Sequence, residues 1–280
     1  MSIEIVRTVE EIRTLVAAKR ADGLKTCIVP TMGGLHAGHM SLVDHAAKVA
    51  DFIVVTLFVN PTQFNNAEDL ANYPGNEQDD LTLLAASPAN VVYAPSRSEM
   101  YPDGFATKVT VNAGTDILCD AFRPGHFGGV ATVCTKLFLQ TGADHACFGE
   151  KDYQQLFIIR TLVRDLNIPV SIEPVETVRE KDGLAMSSRN KRLNEEERQV
   201  AAQMHTAMQK AAAQITNGTS AGIACKTAWE SLEAGGRFKV EYLELRDAET
   251  LEEVANASRP ARLFAAAWLG GVRLIDNIPV

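Results

Sequence analysis

A run of consecutive apolar residues, Phe52-Ile53-Val54-Val55-Thr56-Leu57-Phe58, constrains the fold more than any other feature of the sequence. A strand with one face in water alternates apolar and polar residues, whereas this run is apolar at successive positions. Such a strand has both faces covered, which is typical of a parallel sheet with helices on each side. The run therefore predicts an α/β fold with a buried parallel sheet.

Segments with strand and helix patterns alternate on both sides of this run. We expect strands over residues 27–30, 52–58, 91–94, 146–148 and 170–175, and helices over residues 8–22, 40–50, 79–86, 129–141 and 153–166. Thr8 and Glu11 match a capping box at the start of the first helix. The alternation, with glycines at the junctions, predicts a doubly wound parallel sheet for residues 1–176.

The pattern changes after residue 176. Asn194 begins a long predicted helix that ends near Ile215, and a second helix covers residues 220–234. Three short strands follow over residues 240–245, 262–268 and 272–275. Because helices followed by strands is α+β order, we place a smaller α+β domain at residues 177–280.

Charge, hydropathy and cysteine count argue against several classes of protein, namely nucleic-acid-binding, membrane-spanning, secreted and zinc-binding proteins. The 280 residues include 27 Lys and Arg against 35 Asp and Glu, and the net charge of −8 argues against broad binding to nucleic acid. No stretch approaches the ~20 apolar residues of a membrane-spanning helix, and the first residues lack the basic-then-apolar order of a secretory signal. Five cysteines without a C-x-x-C pair predict reduced thiols, no zinc site and a cytoplasmic protein.

The segment Pro30-Thr31-Met32-Gly33-Gly34-Leu35-His36-Ala37-Gly38-His39 carries the most chemical information. It joins a buried strand to a helix, at the sheet edge where open α/β folds bind ligands. The helix N-terminus suits a phosphate, the glycines permit close approach, and the two histidines add hydrogen-bond donors. The alternative is a glycine-rich turn with incidental histidines. A zinc pair is less favoured, because it needs i, i+4 spacing and a glutamate.

Four further segments carry polar residues near strand ends or helix starts. Phe148-Gly149-Glu150-Lys151-Asp152-Tyr153-Gln154-Gln155 places Lys151 at a sheet edge, although Asp152 and Gln155 also match a capping box. Residues 182–192 match either a mobile loop that closes over a polyphosphate or a solvated linker. Phe58-Val59-Asn60-Pro61-Thr62-Gln63-Phe64 and Arg123-Pro124-Gly125-His126-Phe127 match plain loops as well as binding segments.

Taken together, these segments resemble the pantoate–β-alanine ligase (pantothenate synthetase) family of the nucleotidyltransferase superfamily, over essentially the whole chain. The resemblance implies that the doubly wound sheet of residues 1–176 is a Rossmann-like nucleotide- and pantoate-binding domain. His36-Ala37-Gly38-His39 corresponds to the HxGH signature, and Met186-Ser187-Ser188-Arg189 resembles the second ATP motif of that superfamily. The segment from Gly149 to Gln155 is specific to this family, whereas the HxGH signature alone is shared with class I aminoacyl-tRNA synthetases. Ala37 stands where many relatives carry an acidic residue, but it is the variable position of HxGH and leaves the assignment intact.

The resemblance implies an ATP-dependent ligase that condenses (R)-pantoate with β-alanine through a pantoyl adenylate, releasing AMP and pyrophosphate. It implies catalytic roles for His36, His39, Lys151, Ser187, Ser188 and Arg189, with His39 as the general acid. It implies that these six residues also contact ATP, together with Met32, Gly33, Gly34, Leu35, Ala37, Gly38, Gly149, Glu150, Asp152, Val178 and Met186. Gln63 and Gln155 match pantoate-binding positions, Gln63 is also credited with β-alanine, and Asn60 and Arg123 are weaker candidates.

The resemblance also implies Mg²⁺ carried on the ATP phosphates rather than by protein ligands, a homodimer, and a second domain that closes over the ATP site. Two other classes are kept open. A class I aminoacyl-tRNA synthetase fragment shares the adenylation chemistry, but it must bind tRNA, and the net charge of −8 argues against that. A non-catalytic nucleotide-binding or regulatory module would not need Lys151 and His39 together, and ATP turnover that depends on both substrates separates it from the enzyme.

Overall fold

The computed structural model describes residues 3–65, 67–71, 73 and 75–280, and the chain forms two compact units. The first unit contains the residues up to Thr115, together with Asp120–Glu150 and Gln155–Glu176. The second unit contains Asp116–Cys119, Lys151–Gln154 and Thr177–Val280. Two short segments from the first part of the chain thus belong to the second unit.

A six-stranded parallel sheet forms the centre of the first unit. Its strands are β1 (Glu4–Val6), β2 (Thr26–Thr31), β3 (Phe52–Leu57), β4 (Val91–Tyr93), β5 (His145–Gly149) and β6 (Ser171–Val175). Their order is β1-β4-β3-β2-β5-β6, so the chain winds outward from β2 in one direction and later from β5 in the other. The predicted doubly wound sheet is confirmed, and its switch point lies between β2 and β5.

Helices cover both faces of this sheet. The α-helices in this part of the chain are α1 (Val9–Ala21), α2 (Ala37–Val49), α3 (Ala67–Ala71), α4 (Glu77–Ala85), α5 (Arg97–Met100), α6 (Leu118–Phe122), α7 (His126–Thr141) and α8 (Tyr153–Asp165). Val29 and Val55 pack in one core cluster with α2. Ile28 and Val54 point to the opposite face and are also fully buried. Both faces of the central strands are covered, as the apolar run predicts.

The second unit is built on an antiparallel sheet of three strands. These are β7 (Phe238–Asp247), β8 (Ala261–Leu269) and β9 (Val272–Pro279), in the order β7-β8-β9. The helices α9 (Glu195–Ala201), α10 (Gln203–Thr216) and α11 (Ala221–Glu233) precede them in the chain. Met204 and Met208 of α10 share a buried core with Leu245 and Leu263 of the sheet. The predicted α+β order is confirmed.

Several element boundaries differ from the sequence-based predictions. α2 begins at Ala37 rather than residue 40, because the imidazole of His36 serves as its N-cap. The long helix predicted from Asn194 is interrupted at Ala202, which separates α9 from α10. α7 begins at His126, three residues earlier than expected. β1 has no predicted counterpart, since three residues give no periodic pattern.

The cysteines and helix lengths add two observations. All five cysteines are buried free thiols, and Cys27 Sγ lies 3.6 Å from Cys147 Sγ. In the part of the chain that the structure describes, no helix combines the length and the hydropathy needed to cross a membrane.

Candidate active site

Two glycines shape the loop between β2 and α2. Gly33 and Gly34 have φ values of +79° and +65°, a left-handed conformation that favours glycine. A Cβ atom at Gly33 would lie 2.9 Å from a carboxylate oxygen of Asp80, so this position has no room for a side chain. The Gly33 N–H donates to Thr31 Oγ1 (3.2 Å), which ties the turn to the end of β2.

His36 and His39 form a reciprocal cap at the start of α2. His36 Nδ1 accepts the N–H of Gly38 (3.1 Å), and His39 Nδ1 accepts the N–H of His36 (3.3 Å). Because a backbone N–H can only donate, each Nδ1 is an accepting, unprotonated nitrogen. A neutral imidazole in this position carries its proton on Nε2. The cap therefore makes both histidines Nε2–H donors.

The setting of this histidine pair suits an anion. The two rings lie 4.1 Å apart between centroids, at the N-terminus of a 13-residue helix. A helix N-terminus carries positive partial charge, and the carboxyl edge at a switch point is where open α/β sheets bind ligands. Imidazole N–H groups at this edge can donate to phosphate oxygens.

Gln63 is a buried glutamine that is held at both its side chain and its backbone. Its Oε1 accepts from Asn60 Nδ2 (3.0 Å), and its Nε2 lies 2.8 Å from Met32 Sδ. Its carbonyl oxygen accepts from His126 Nδ1 (2.7 Å) and Arg123 Nη2 (3.3 Å). Because a carbonyl only accepts, His126 carries a proton on Nδ1. Asn60 and Met32 therefore hold the side-chain amide of Gln63, while His126 and Arg123 hold its backbone carbonyl group.

Asn60, predicted as a weaker substrate contact, uses its side-chain amide inside the protein. Its Oδ1 accepts from Thr62 Oγ1 and from the Tyr101 hydroxyl, each at 2.9 Å. Its Nδ2 donates to Gln63 Oε1 and to the carbonyl oxygen of Gly129 (3.2 Å). Burial raises the pKa of Tyr101, which keeps the donating hydroxyl protonated. Asn60 thus orients Gln63, and a direct role in substrate binding stays a prediction.

The backbone at Lys151 is fixed by the sheet of the second unit. The carbonyl oxygen of Lys151 accepts from Asn277 Nδ2 (2.9 Å), and Asn277 Oδ1 accepts from Arg262 Nε (2.8 Å). The Arg262 guanidinium lies over the Tyr153 ring, with 4.2 Å between its carbon and the ring centroid. Residues of β8 and β9 therefore hold the turn that carries Lys151.

The segment from Met186 to Arg189 forms a capped turn. The Met186 N–H donates to the carbonyl oxygen of Val178 (3.0 Å). Ser187 Oγ accepts the N–H of Arg189 (3.3 Å) and caps a 3₁₀ turn over Ser188–Arg192. Ser188 is buried, whereas Ser187 and Arg189 are half-buried.

A buried ion pair anchors the chain just before this turn. Arg179 donates to both carboxylate oxygens of Asp276 (2.7 and 2.9 Å) and to the carbonyl oxygen of Gly183 (3.0 Å). His205 Nδ1 lies 3.4 Å from the same carboxylate. Burial pushes the pKa of Asp276 upward, but the neighbouring His205 imidazole and the hydrogen bonds from Arg179 outweigh it and leave the pKa below its ordinary value.

The predicted site residues fall into two groups, one in each unit. The first-unit group is Met32, Gly33, Gly34, Leu35, His36, Ala37, Gly38, His39, Asn60, Gln63, Arg123, Gly149, Glu150 and Gln155. The second-unit group is Lys151, Asp152, Val178, Met186, Ser187, Ser188 and Arg189. Gln155 is half-buried near the start of α8. Among the described residues, no group of three or more His, Cys, Asp and Glu side chains is placed to hold a metal ion.

Sequence reasoning missed the residues that support these groups. Tyr101, Asp80, Arg179, Asp276 and Asn277 contact predicted site residues or the chain beside them. Their partners are distant in the chain, so no local spacing marks them. In the structure, Asp80 lies one helical turn before the fully buried Leu84, on the buried face of α4.

A family model and two relatives match this chain over essentially its whole length, and all three describe the same ligase family. A family model described as pantoate-beta-alanine ligase matches residues 4–279. The chain is 54% identical over 280 residues to the pantothenate synthetase of Chelativorans sp. (strain BNC1), covering 100% of this chain and 99% of the relative. The corresponding protein of Roseobacter denitrificans (strain ATCC 33942 / OCh 114) is 51% identical, with the same coverage.

Two solved structures extend this likeness to the fold. The pantothenate synthetase of Thermus thermophilus gives a TM-score of 0.93 at 42% identity, with 99% of each chain covered. The pantoate-beta-alanine ligase from Francisella tularensis gives a TM-score of 0.82 at 32% identity, over 99% of this chain and 97% of that one. The latter crystal structure is of a complex with beta-gamma ATP and beta-alanine.

Proposed function

The chain belongs to the pantoate–β-alanine ligase family, and from this premise we propose how its residues join pantoate to β-alanine at the expense of ATP. A free carboxylate is a poor acyl donor to an amine, because it has no good leaving group. The pantoate carboxylate therefore attacks the α-phosphate of ATP and releases pyrophosphate. The amine of β-alanine then attacks the acyl carbon of pantoyl adenylate, AMP leaves, and pantothenate is formed.

The observation that carries this proposal is the reciprocal cap of His36 and His39. Negative charge develops on the phosphoryl oxygens and on the departing pyrophosphate during adenylation, and donors already in place stabilise it best. The cap fixes both rings, because each Nδ1 accepts a backbone N–H and the Nε2–H lies on the other side of the ring. We assign His36 and His39 to the phosphates, with His39 Nε2 as the proton donor to the leaving group.

The second-unit residues supply charge and hydroxyl groups to the same nucleotide. We assign the Lys151 ammonium to the α-phosphate, where it offsets charge in the transition state. Ser187, Ser188 and Arg189 are assigned to the phosphates as well. The HxGH and Met-Ser-Ser-Arg segments are thus both assigned to ATP, and Mg²⁺ enters with the substrate as MgATP, bound mainly by β- and γ-phosphate oxygens and water.

We assign Gln63 and Gln155 to pantoate, whose hydroxyl and carboxylate groups match amide donors and acceptors. Gln63 is also assigned to β-alanine, the compound present with beta-gamma ATP in the Francisella tularensis complex. Asn60 holds the Gln63 amide, and Arg123 and His126 hold the Gln63 backbone, so the residue is in place before substrate arrives, which supports the assignment.

The family resemblance supports two further expectations. We propose that the protein is a homodimer, which light scattering of the purified chain tests directly. We also propose a cytoplasmic location, because five free buried thiols favour a reducing compartment.

The experiment that tests this function is an AMP-release assay with ATP and Mg²⁺, from which pantoate and β-alanine are omitted in turn. We expect steady AMP release only when both are present, because the adenylate otherwise stays bound. AMP release independent of pantoate would contradict the proposal. His39→Ala should lower kcat about 10²–10³-fold with a smaller change in KM, since its bond strengthens in the transition state. A folded His39→Ala variant with normal kcat would remove His39 from the mechanism.

A further inference from the structure

Asp80 is a buried acidic residue whose two oxygens both serve the loop between β2 and α2. Its side chain is on α4 and only 4% exposed. Oδ2 accepts the N–H of Gly34 (2.9 Å), and Oδ1 accepts the N–H of Leu35 (2.8 Å). Both bonds reach more than forty positions back along the chain, to the two residues directly before His36.

No basic side chain among the described residues forms an ion pair with this carboxylate. A buried carboxylate needs compensation for the loss of water. At Asp80 the two loop N–H groups and the N-terminal turn of α4 supply it. The Asp80 carboxylate is therefore stabilised mainly by the loop N–H groups, and the same two hydrogen bonds hold the backbone of Gly34 and Leu35 in place.

The turn that Asp80 binds has little freedom to move. Gly33 and Gly34 both have positive φ, and Gly33 lies so close to Asp80 that a Cβ there would be 2.9 Å from Oδ2. Leu35 is buried, and the next residue, His36, is the N-cap of α2. A displacement of Gly34 or Leu35 thus moves the start of α2 and both capped imidazoles.

We propose that Asp80 is a positioning residue for adenylation, which clamps the Gly34–Leu35 backbone and thereby sets where the Nε2–H groups of His36 and His39 point. This inference rests on the phosphate role proposed above for the two histidines. Asp80 acts through the loop and does not contact substrate.

The test compares Asp80→Asn with Asp79→Asn in the intact protein. Asp79 is exposed in the same turn of α4, so its variant makes the same charge change without touching the loop. In Asp80→Asn, the new side-chain amide can accept only one of the two N–H groups and turns a donor toward the other. We expect kcat of Asp80→Asn to fall by about 10–10²-fold, because small misplacements of catalytic groups carry such costs. The KM for pantoate should change little, since Gln63 is untouched.

A spectroscopic readout separates positioning from simple destabilisation. The chain has six histidines, so selective ¹⁵N-labelling allows long-range imidazole correlation spectra. We expect the His36 and His39 resonances to show the Nε2–H tautomer in the unaltered protein and to shift in Asp80→Asn but not in Asp79→Asn. Unchanged resonances together with normal kcat per folded molecule would overturn the proposal.

A double-mutant cycle with His39→Ala gives the second test. If Asp80 works through the histidine, Asp80→Asn should lower kcat much less when His39 is already alanine. Equal effects in both backgrounds would contradict an action of Asp80 through His39. Should Asp80→Asn fail to fold, Asp80→Glu replaces it, because it keeps the charge but cannot hold both N–H groups in place. If His39→Ala alone has normal kcat, the proposed function of the histidines fails, whatever Asp80 does.

Discussion

Gly129 lies where α7 approaches the backbone of the segment that carries Gln63. A Cβ atom at this position would be 2.4 Å from the carbonyl oxygen of Thr62 and 2.8 Å from the Gln63 nitrogen. Since an ordinary contact of this kind is about 3.4 Å or more, Gly129→Ala must move one backbone by about 1 Å. The atoms in the way belong to the main chain, so no side-chain rotation relieves the contact.

Two terms set the expected loss of stability. Alanine in a helix gains about 1 kcal/mol over glycine, while overpacking typically costs about 1–3 kcal/mol, which leaves a net loss of about 1 kcal/mol. The kinetic effect should be much larger, because a misplacement of about 1 Å can lower activity about 10²-fold. We therefore expect kcat/KM for pantoate to fall by about that factor, with little change in nucleotide affinity.

Gly128→Ala is the matched control for this variant. Its Cβ would be 2.6 Å from Lys108 Cε, the far end of a flexible side chain that can move aside. The two variants are neighbours on one helix and receive the same methyl group. Steady-state kinetics with pantoate varied, and urea unfolding of both proteins, measure the difference. Normal pantoate kinetics in folded Gly129→Ala would refute the claim that the position of the Gln63 backbone limits pantoate binding.

Two further predictions concern single side chains. Gln155→Ala should raise the KM for pantoate by the loss of a hydrogen bond, about 0.5–1.5 kcal/mol, and calorimetric titration with ATP should be unchanged; weakened ATP binding with normal pantoate binding would contradict the assignment. Asp276→Asn should lower the free energy of unfolding at pH 7 by about 1–3 kcal/mol, since it removes the buried carboxylate that accepts two hydrogen bonds from the half-buried Arg179. Because the folded pKa of Asp276 is below its ordinary value, its stabilisation is present above about pH 4 and is lost as the pH falls through the folded pKa. The stability difference between the two proteins, from urea unfolding at a series of pH values, should shrink below about pH 4; a constant difference would contradict this reasoning.

The central fold could be predicted because its signals are local. The apolar run that forms β3 and the capping box of Thr8 and Glu11 are readable from a few neighbouring residues, and both are confirmed. β1 could not be predicted in this way. It has three residues, two of them exposed, and its partner β4 lies far along the chain. Its existence depends on an edge that forms only when the sheet assembles.

In the candidate site too, features that depend on neighbouring residues could be predicted, whereas features that depend on distant residues could not. The spacing of His36 and His39 predicts an anion site, and the start of α2 lies three residues before its predicted position. Helix-start rules look for serine, threonine, aspartate or asparagine, and here an imidazole accepts the N–H instead. In the sequence, Asp80 is one of several acidic residues on a predicted helix. Its role depends on which face of α4 meets the loop, and that follows only from tertiary packing.

The proposed mechanism rests on adenylation as a separate first step, and pyrophosphate exchange tests this most directly. Adenylation needs only ATP, Mg²⁺ and pantoate, and it is reversible while pyrophosphate is present. Labelled pyrophosphate should therefore enter ATP when pantoate is supplied and β-alanine is absent. Lys151→Ala should suppress the exchange, because the ammonium acts on the phosphoryl group, and should impair much less the reaction of preformed pantoyl adenylate with β-alanine. Exchange that requires β-alanine would contradict the adenylate route.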